Sequence, residues 1–258
     1  MRFGVCAPLD WAHEIQSAGF HYIELAANAL LSPESPETDW LPLATAMESC
    51  PLPVEAMNCF VSGPQITGPD ADPERLLRYV DTALTRAARV GVQVMVFGSG
   101  GARRIPDGFP QSDAERQLID FLHMCADACD RTGVVTAIEP LRRAESNVLN
   151  SVVEAAAMAR AVGRTGVRLL ADTFHMEAED EPLSVLDGVG DLLMHVHTAD
   201  TGRNSPGTGS YDHVALFRAL RGAGYNARVS AECGWGDRSV TLPLALRHMT
   251  EAYERSAS

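Results

Sequence analysis

Eight near-continuous apolar runs alternate with amphipathic stretches along this chain. The runs are Arg2–Ala7, Tyr22–Ala26, Val54–Phe60, Val92–Gly98, Val134–Pro140, Val167–Asp172, Leu192–Thr198 and Arg228–Gly234. Unbroken apolarity over so few residues predicts strands covered on both faces, as in a parallel sheet. Between them the apolar positions recur at helical spacing. Arg75–Val90 is the clearest case, with Leu76, Leu77, Val80, Leu84 and Ala87 on one stripe. A second helix is predicted over Gln111–Arg131, with Ser112 as N-cap three residues before Glu115. Gly91, Gly133 and Gly166 fall where a C-cap glycine precedes the next strand. Eight βα units favour a closed (β/α)8 TIM barrel, an α/β fold, spanning residues 1–258 as one domain. The GSGG tract at Gly98–Gly101 lacks the spacing of a dinucleotide fingerprint and follows the fourth strand, not the first. The longer connections all follow strands, which places them on the face where barrels carry their active sites.

Four of the runs end on a group that prefers water, a proton or a metal. They are Glu139 in VVTAIEP, Asp172 in VRLLADTFH, His197 in LLMHVHTAD and Glu232 in RVSAECG. A barrel brings such ends to one face, where three carboxylates would repel one another without a cation between them. The predicted cofactor is therefore a divalent metal ion. Oxygen-rich ligands with one imidazole favour Mn²⁺, with Mg²⁺ or Co²⁺ as the other fits. Such an ion acidifies the C–H beside a carbonyl and stabilises the resulting enediolate. Glu139 and Glu232 belong to the fifth and eighth strands, nearly opposite in a ring of eight. Two glutamates so placed suit a two-base inversion of a stereocentre.

Charge and termini narrow the partners. Of 258 residues 46% are hydrophobic and 21% charged, enough for a full core, and the net charge is -13. An acidic surface disfavours nucleic acid. The N-terminal MRFGVCAPLDWAHE shows no signal-peptide pattern and no run approaches a membrane span, so a cytoplasmic protein is expected. The six cysteines form no CxxC pair and read as reduced structural thiols. His13, His21, His123, His213 and His248 read as surface or packing residues. His195, two before His197, reads as a layer residue or a partner beneath the metal.

At these residues the chain resembles the xylose isomerase-like TIM-barrel superfamily, and within it the D-tagatose/D-psicose (ketose) 3-epimerase group. The segments that carry the resemblance are IEPLRRAE, ADTFHM, HVHTADTGRNSPGTGSYD and AEC. The resemblance implies metal ligands at Glu139, Asp172, His197 and Glu232, with Glu139 and Glu232 also the catalytic acid/base pair. It implies substrate contacts at His175, Arg203 and Glu145. It further implies a small keto-sugar or related polyol as substrate, neither nucleic acid nor membrane as partner, and a homodimer or homotetramer.

The chain departs from the family pattern in places. Arg142 and Ala144 stand where Asn and Phe are frequent, and Asp200 replaces the usual glutamate three residues after the metal histidine. The segment FGSGGARRIPDGF is typical of sugar-phosphate isomerase-like relatives. Its glycine N–H groups with Arg103 and Arg104 could receive a phosphate or carboxylate, or could simply form a tight loop. Trp11 and Trp235 are candidates to wall a sugar site. The alternatives are an inosose-type dehydratase, a hydroxypyruvate isomerase-like enzyme, an endonuclease IV-like phosphodiesterase and a non-catalytic sugar-binding module. The charge argues against the phosphodiesterase, and the paired glutamates argue against the binding module.

Overall fold

Each apolar run lies parallel to the next, and the last returns to the first. The structure, a computed structural model, describes residues 1–257. The strands are β1 (Arg2–Cys6), β2 (Tyr22–Ala26), β3 (Val54–Asn58), β4 (Val94–Phe97), β5 (Val135–Ile138), β6 (Val167–Asp172), β7 (Leu193–Thr198) and β8 (Arg228–Ala231). They close as β1-β2-β3-β4-β5-β6-β7-β8, sealed by β1 against β8 with Arg2 opposite Arg228 and Val5 opposite Ala231. Closure leaves no free sheet edge.

Side chains alternate across each strand, so every second residue points into the barrel. The interior divides into two halves. Ala56, Val94, Val96, Ala137 and Leu170 form a dry apolar cluster. Tyr22, Glu24, His195 and Ser230 form a buried polar one. The outward residues of the same strands pack under the helices. Phe97 on β4, for example, meets Phe121 of the helix Gln111–Thr132 with ring centroids 5.0 Å apart.

Several local expectations are corrected. Helix Gln111–Thr132 has Pro110 at its cap with no capping side chain, and Ser112 lies inside the helix. The helix starts before the serine: the N–H groups of Asp113 and Ala114 already donate to the Pro110 carbonyl, which leaves Ser112 in the first turn and not at the cap. The glycine ending helix Val152–Val162 is Gly163, with φ 65°, not Gly166. Gly166 instead lies so close to Cys129 that a Cβ there would overlap it. Strand β3 stops at Asn58 because Cys59 turns into the left-handed region, with φ 51°. Asp72 caps helix Pro73–Arg89 by accepting from the N–H groups of Glu74 and Arg75. All six cysteines are free. Among the described residues no helix is long and apolar enough to cross a membrane.

Candidate metal centre and sugar site

Alternation along the strands builds the site. Asp172 ends β6, His197 is next to last on β7, and Glu139 and Glu232 stand one residue beyond β5 and β8. All four keep the inward phase of their strands. One ligand atom from each lies within 4.8 Å of those of the other three. His197 Nδ1 is 3.2 Å from Glu139 Oε1 and 3.3 Å from Glu232 Oε2. Glu139, Asp172 and His197 are buried, while Glu232 is partly open to the cavity above.

Two features fit this pocket to a cation. Asp172 Oδ1 accepts from the Phe174 N–H, but Oδ2 is buried without a hydrogen-bond partner. A buried carboxylate oxygen left bare is costly unless a cation or proton meets it. Gly98, at the end of β4, gives Glu139 Oε2 its space, since any Cβ there would overlap it. The donor set of three carboxylates and one imidazole suits a hard divalent ion. Glu139, Asp172, His197 and Glu232 would hold it.

The protonation pattern is unusual for carboxylates. Burial, with the Glu232 charge adding to it, pushes Asp172 up to about 8. Burial also raises Glu139, against the facing His197. Glu232 is likewise desolvated, but His197 and Arg203 outweigh that and bring it down to about 2. His197 feels burial in the other direction, yet the Glu24 carboxylate beside it holds it well above the usual histidine range.

The three expected sugar contacts converge on the same mouth. His175, Arg203 and Glu145 all line a cavity of about 660 Å³, together with Glu139, Glu232 and the glycine tract Gly98–Gly101. His175 Nδ1 accepts the Arg142 N–H at 3.3 Å, and burial brings its ring down to about 4. It is therefore a neutral imidazole with Nε2–H available, 3.5 Å from Asp172 Oδ2. Arg203 donates to Glu232 Oε2 at 2.7 Å and lies over the Phe174 ring at 4.5 Å. Its backbone is left-handed, φ 62°. The loop that presents it is shaped by Asp200, which accepts from the N–H groups of Thr201, Gly207 and Tyr211. A longer glutamate at that place would have to displace this turn. Arg142 also lies over Phe174 and bonds Glu145 Oε1 at 2.7 Å, so the cation that departs from the family pattern is tied to the site's own carboxylate.

Other expectations fall away. Arg103 is fully buried and donates to the carbonyls of Phe97, Glu139 and Leu149, so it braces the ends of β4 and β5 and is not free for an anion. Arg104 donates to the Glu145 carbonyl and does not line the cavity. Trp235 packs edge-on against Phe20, and Trp11 lies under Arg238; neither walls the cavity. The sequence reading missed Glu24. It is fully buried, with Oε1 2.8 Å from His197 Nε2 and Oε2 2.7 Å from His195 Nε2. Its signal was an acidic residue inside the apolar run YIELA. Asn58 was also missed; its side chain donates to Glu232 Oε1 at 3.4 Å.

Known proteins are similar to this chain. The family profile described as xylose isomerase-like TIM barrel matches residues 12–254. A 3-dehydro-D-guloside 4-epimerase of Escherichia coli is 32% identical over 163 residues, 60% of this chain and 62% of that one. A D-psicose 3-epimerase of Agrobacterium fabrum is 33% identical over 115 residues, 44% of this chain and 40% of the relative. A Streptomyces coelicolor protein, named as a proposed hydroxypyruvate isomerase, is 30% identical over 239 residues, 86% of this chain and 83% of its own. The matched stretch thus spans less than two thirds of the two epimerases. The relatives are named epimerases and isomerases of sugars and a related keto compound. The chain belongs to the xylose isomerase-like TIM barrel family.

Proposed function

We propose that this protein is a divalent-metal-dependent epimerase of uncharged keto-sugars, free or glycosidic, acting by two-glutamate proton transfer. The observation that carries the reading is the pairing of Glu139 and Glu232 across His197. They approach one Nδ1 at 3.2 and 3.3 Å from strands on different sides of the barrel, and their proton affinities are driven apart. Two carboxyls separated in this way divide the roles of acid and base. An ion bound here, Mn²⁺ by preference, would supply Lewis acidity toward the ketone oxygen and its neighbouring hydroxyl.

The side chains do the remainder. Glu232, held ionised by Arg203, takes the proton from the carbon beside the ketone. Glu139, reaching in from the strand on the other side, returns one to the opposite face. Charge developing on the enediolate oxygen receives the Nε2–H of His175, a neutral donor that gives up no proton by itself. Glu145 accepts hydroxyl hydrogens at the cavity mouth, and Arg142 fixes its position. The cavity of about 660 Å³ is of ordinary ligand-site size and has no free guanidinium from the GSGGARR segment, which supports an uncharged polyol over a sugar phosphate.

The Streptomyces relative favours a second reading, isomerisation of a small hydroxy-keto acid. That substrate needs a cation for its carboxylate, and Arg203 is already paired with Glu232. Incubating the purified protein with Mn²⁺ and a panel of ketoses, 3-keto-glycosides and hydroxypyruvate, and following products by NMR, separates the two. New epimers of a keto-sugar, abolished by EDTA and restored by Mn²⁺, are expected. Turnover of hydroxypyruvate alone, or full activity after chelation, would overturn the proposal.

A further inference from the structure

Below the candidate metal centre lies a second, fully buried layer that the proton-transfer scheme does not use. Its centre is Glu24 on β2. The carboxylate faces three groups: His197 Nε2 at 2.8 Å, His195 Nε2 at 2.7 Å and the Ser230 hydroxyl at 2.6 Å. Glu24, His195, His197, Ser230 and Tyr22 all have no accessible surface. Tyr22 OH lies 2.8 Å from Ser230 Oγ and completes the chain from beneath. Gly4 leaves room for the Tyr22 ring, which any Cβ there would overlap.

The partners assign the hydrogens. A carboxylate among three such groups, in a dry interior, is satisfied when all three donate to it. Ser230 gives its hydrogen to Glu24, so Tyr22 donates to Ser230. His195 Nδ1 has no partner, so its hydrogen belongs on Nε2, facing Glu24. His197 Nε2 then also carries hydrogen toward Glu24. That leaves its other nitrogen, Nδ1, on the side of Glu139 and Glu232. The hydrogen bond made by one ring nitrogen of a histidine decides what the other can do.

We infer that Glu24 is a positioning residue for the metal centre: it fixes His197 in the tautomer whose Nδ1 lone pair faces the three carboxylates. The inference rests on the metal reading of that cluster. Glu24 makes no contact with the reacting sugar. It acts through His197, by holding the ring's orientation and by raising its basicity as a ligand. The Ser230 and Tyr22 hydroxyls hold Glu24 in turn.

The test is metal binding, measured without substrate. Wild type and Glu24→Gln are titrated with Mn²⁺ by calorimetry, and with Co²⁺ by its visible absorption. An amide keeps one acceptor oxygen and puts an NH2 donor in place of the other, so it cannot accept from both imidazoles through the two atoms that the carboxylate uses. The expected result is a 10- to 100-fold weaker affinity in the variant. Binding by Glu24→Gln within twofold of wild type overturns this inference and leaves the metal reading intact. Absence of binding by wild type overturns both. A second measurement does not depend on the variant folding. Nitrogen-15 NMR of histidine-labelled wild type with Mg²⁺ is expected to show His197 protonated at Nε2 only. Protonation at Nδ1 in the metal-loaded protein would contradict the assignment.

Discussion

Gly98 and Glu139 are fitted to each other: the Glu139 Oε2 atom occupies the space that a side chain at position 98 would fill. The two positions lie just past the ends of the paired strands β4 and β5. The missing Cβ lets the carboxylate stand upright beneath the cavity. Gly98→Ala is expected to push Glu139 aside by about the width of a methyl group. Misplacement of a catalytic group by about 1 Å costs on the order of 100-fold in rate. The overlap is local, so the loss of stability should stay within about 1–3 kcal/mol. Steady-state kinetics beside a thermal melt check this; unchanged kcat/KM would show that Glu139 does not act from this position.

Metal affinity should depend steeply on pH. Without an ion, Asp172 holds its proton up to about 8, and His197 is held well above its ordinary value. Both must release a proton to become ligands. Affinity therefore rises as pH rises, by about tenfold per pH unit for each proton displaced, between pH 6 and 8. Calorimetry of Mn²⁺ binding in buffers of different ionisation enthalpy gives both the affinity and the number of protons released. A flat profile with no release would remove Asp172 and His197 from the ligand set.

His213 gives the fold an acid-sensitive element away from the site. It is buried against His248, with ring nitrogens 3.2 Å apart, and burial, aided by the His248 charge, brings it down to about 4 from an ordinary 6.5. A lowered folded value means that the unfolded chain binds the proton first. The stabilisation is complete above pH 6.5 and is lost as pH falls toward 4. Its full size is about 3 kcal/mol, at about 1.4 kcal/mol per pH unit. Denaturant melts at pH 7 and pH 4.5 should show a smaller difference for His213→Gln than for wild type. Equal differences would mean that His213 is not held neutral.

The architecture was legible because parallel barrel strands are apolar on both faces and end abruptly. The convergence of Glu139, Asp172, His197 and Glu232 on one face could be read from their places near the ends of four apolar runs. Glu24 could not be read in this way. It sits inside a strand, and its partner His197 is 173 residues away in sequence, so only closure of the ring brings them together. Arg103 left two readings open, an anion site or a tight loop, and the structure bears on that choice. A guanidinium beside a glycine tract suggests an anion site, but the ends of β4 and β5 leave carbonyls that need donors, and the arginine turns inward to meet them. Ser112 was read from a capping pattern, but the helix begins one residue earlier, at Gln111.

If Glu139 and Glu232 are the two proton-transfer groups, each governs exchange from one face of the carbon beside the ketone. The most direct test is solvent deuterium exchange at the carbon beside the ketone, followed by NMR on an accepted keto-sugar with Mn²⁺ present. Wild type should exchange that hydrogen, and Glu139→Gln and Glu232→Gln should each reduce steady-state epimer formation by about 10²-fold or more. Exchange should fail in Glu232→Gln when the reaction starts from the epimer whose proton faces Glu232, and in Glu139→Gln from the other. Normal exchange from both epimers in either variant would contradict the account.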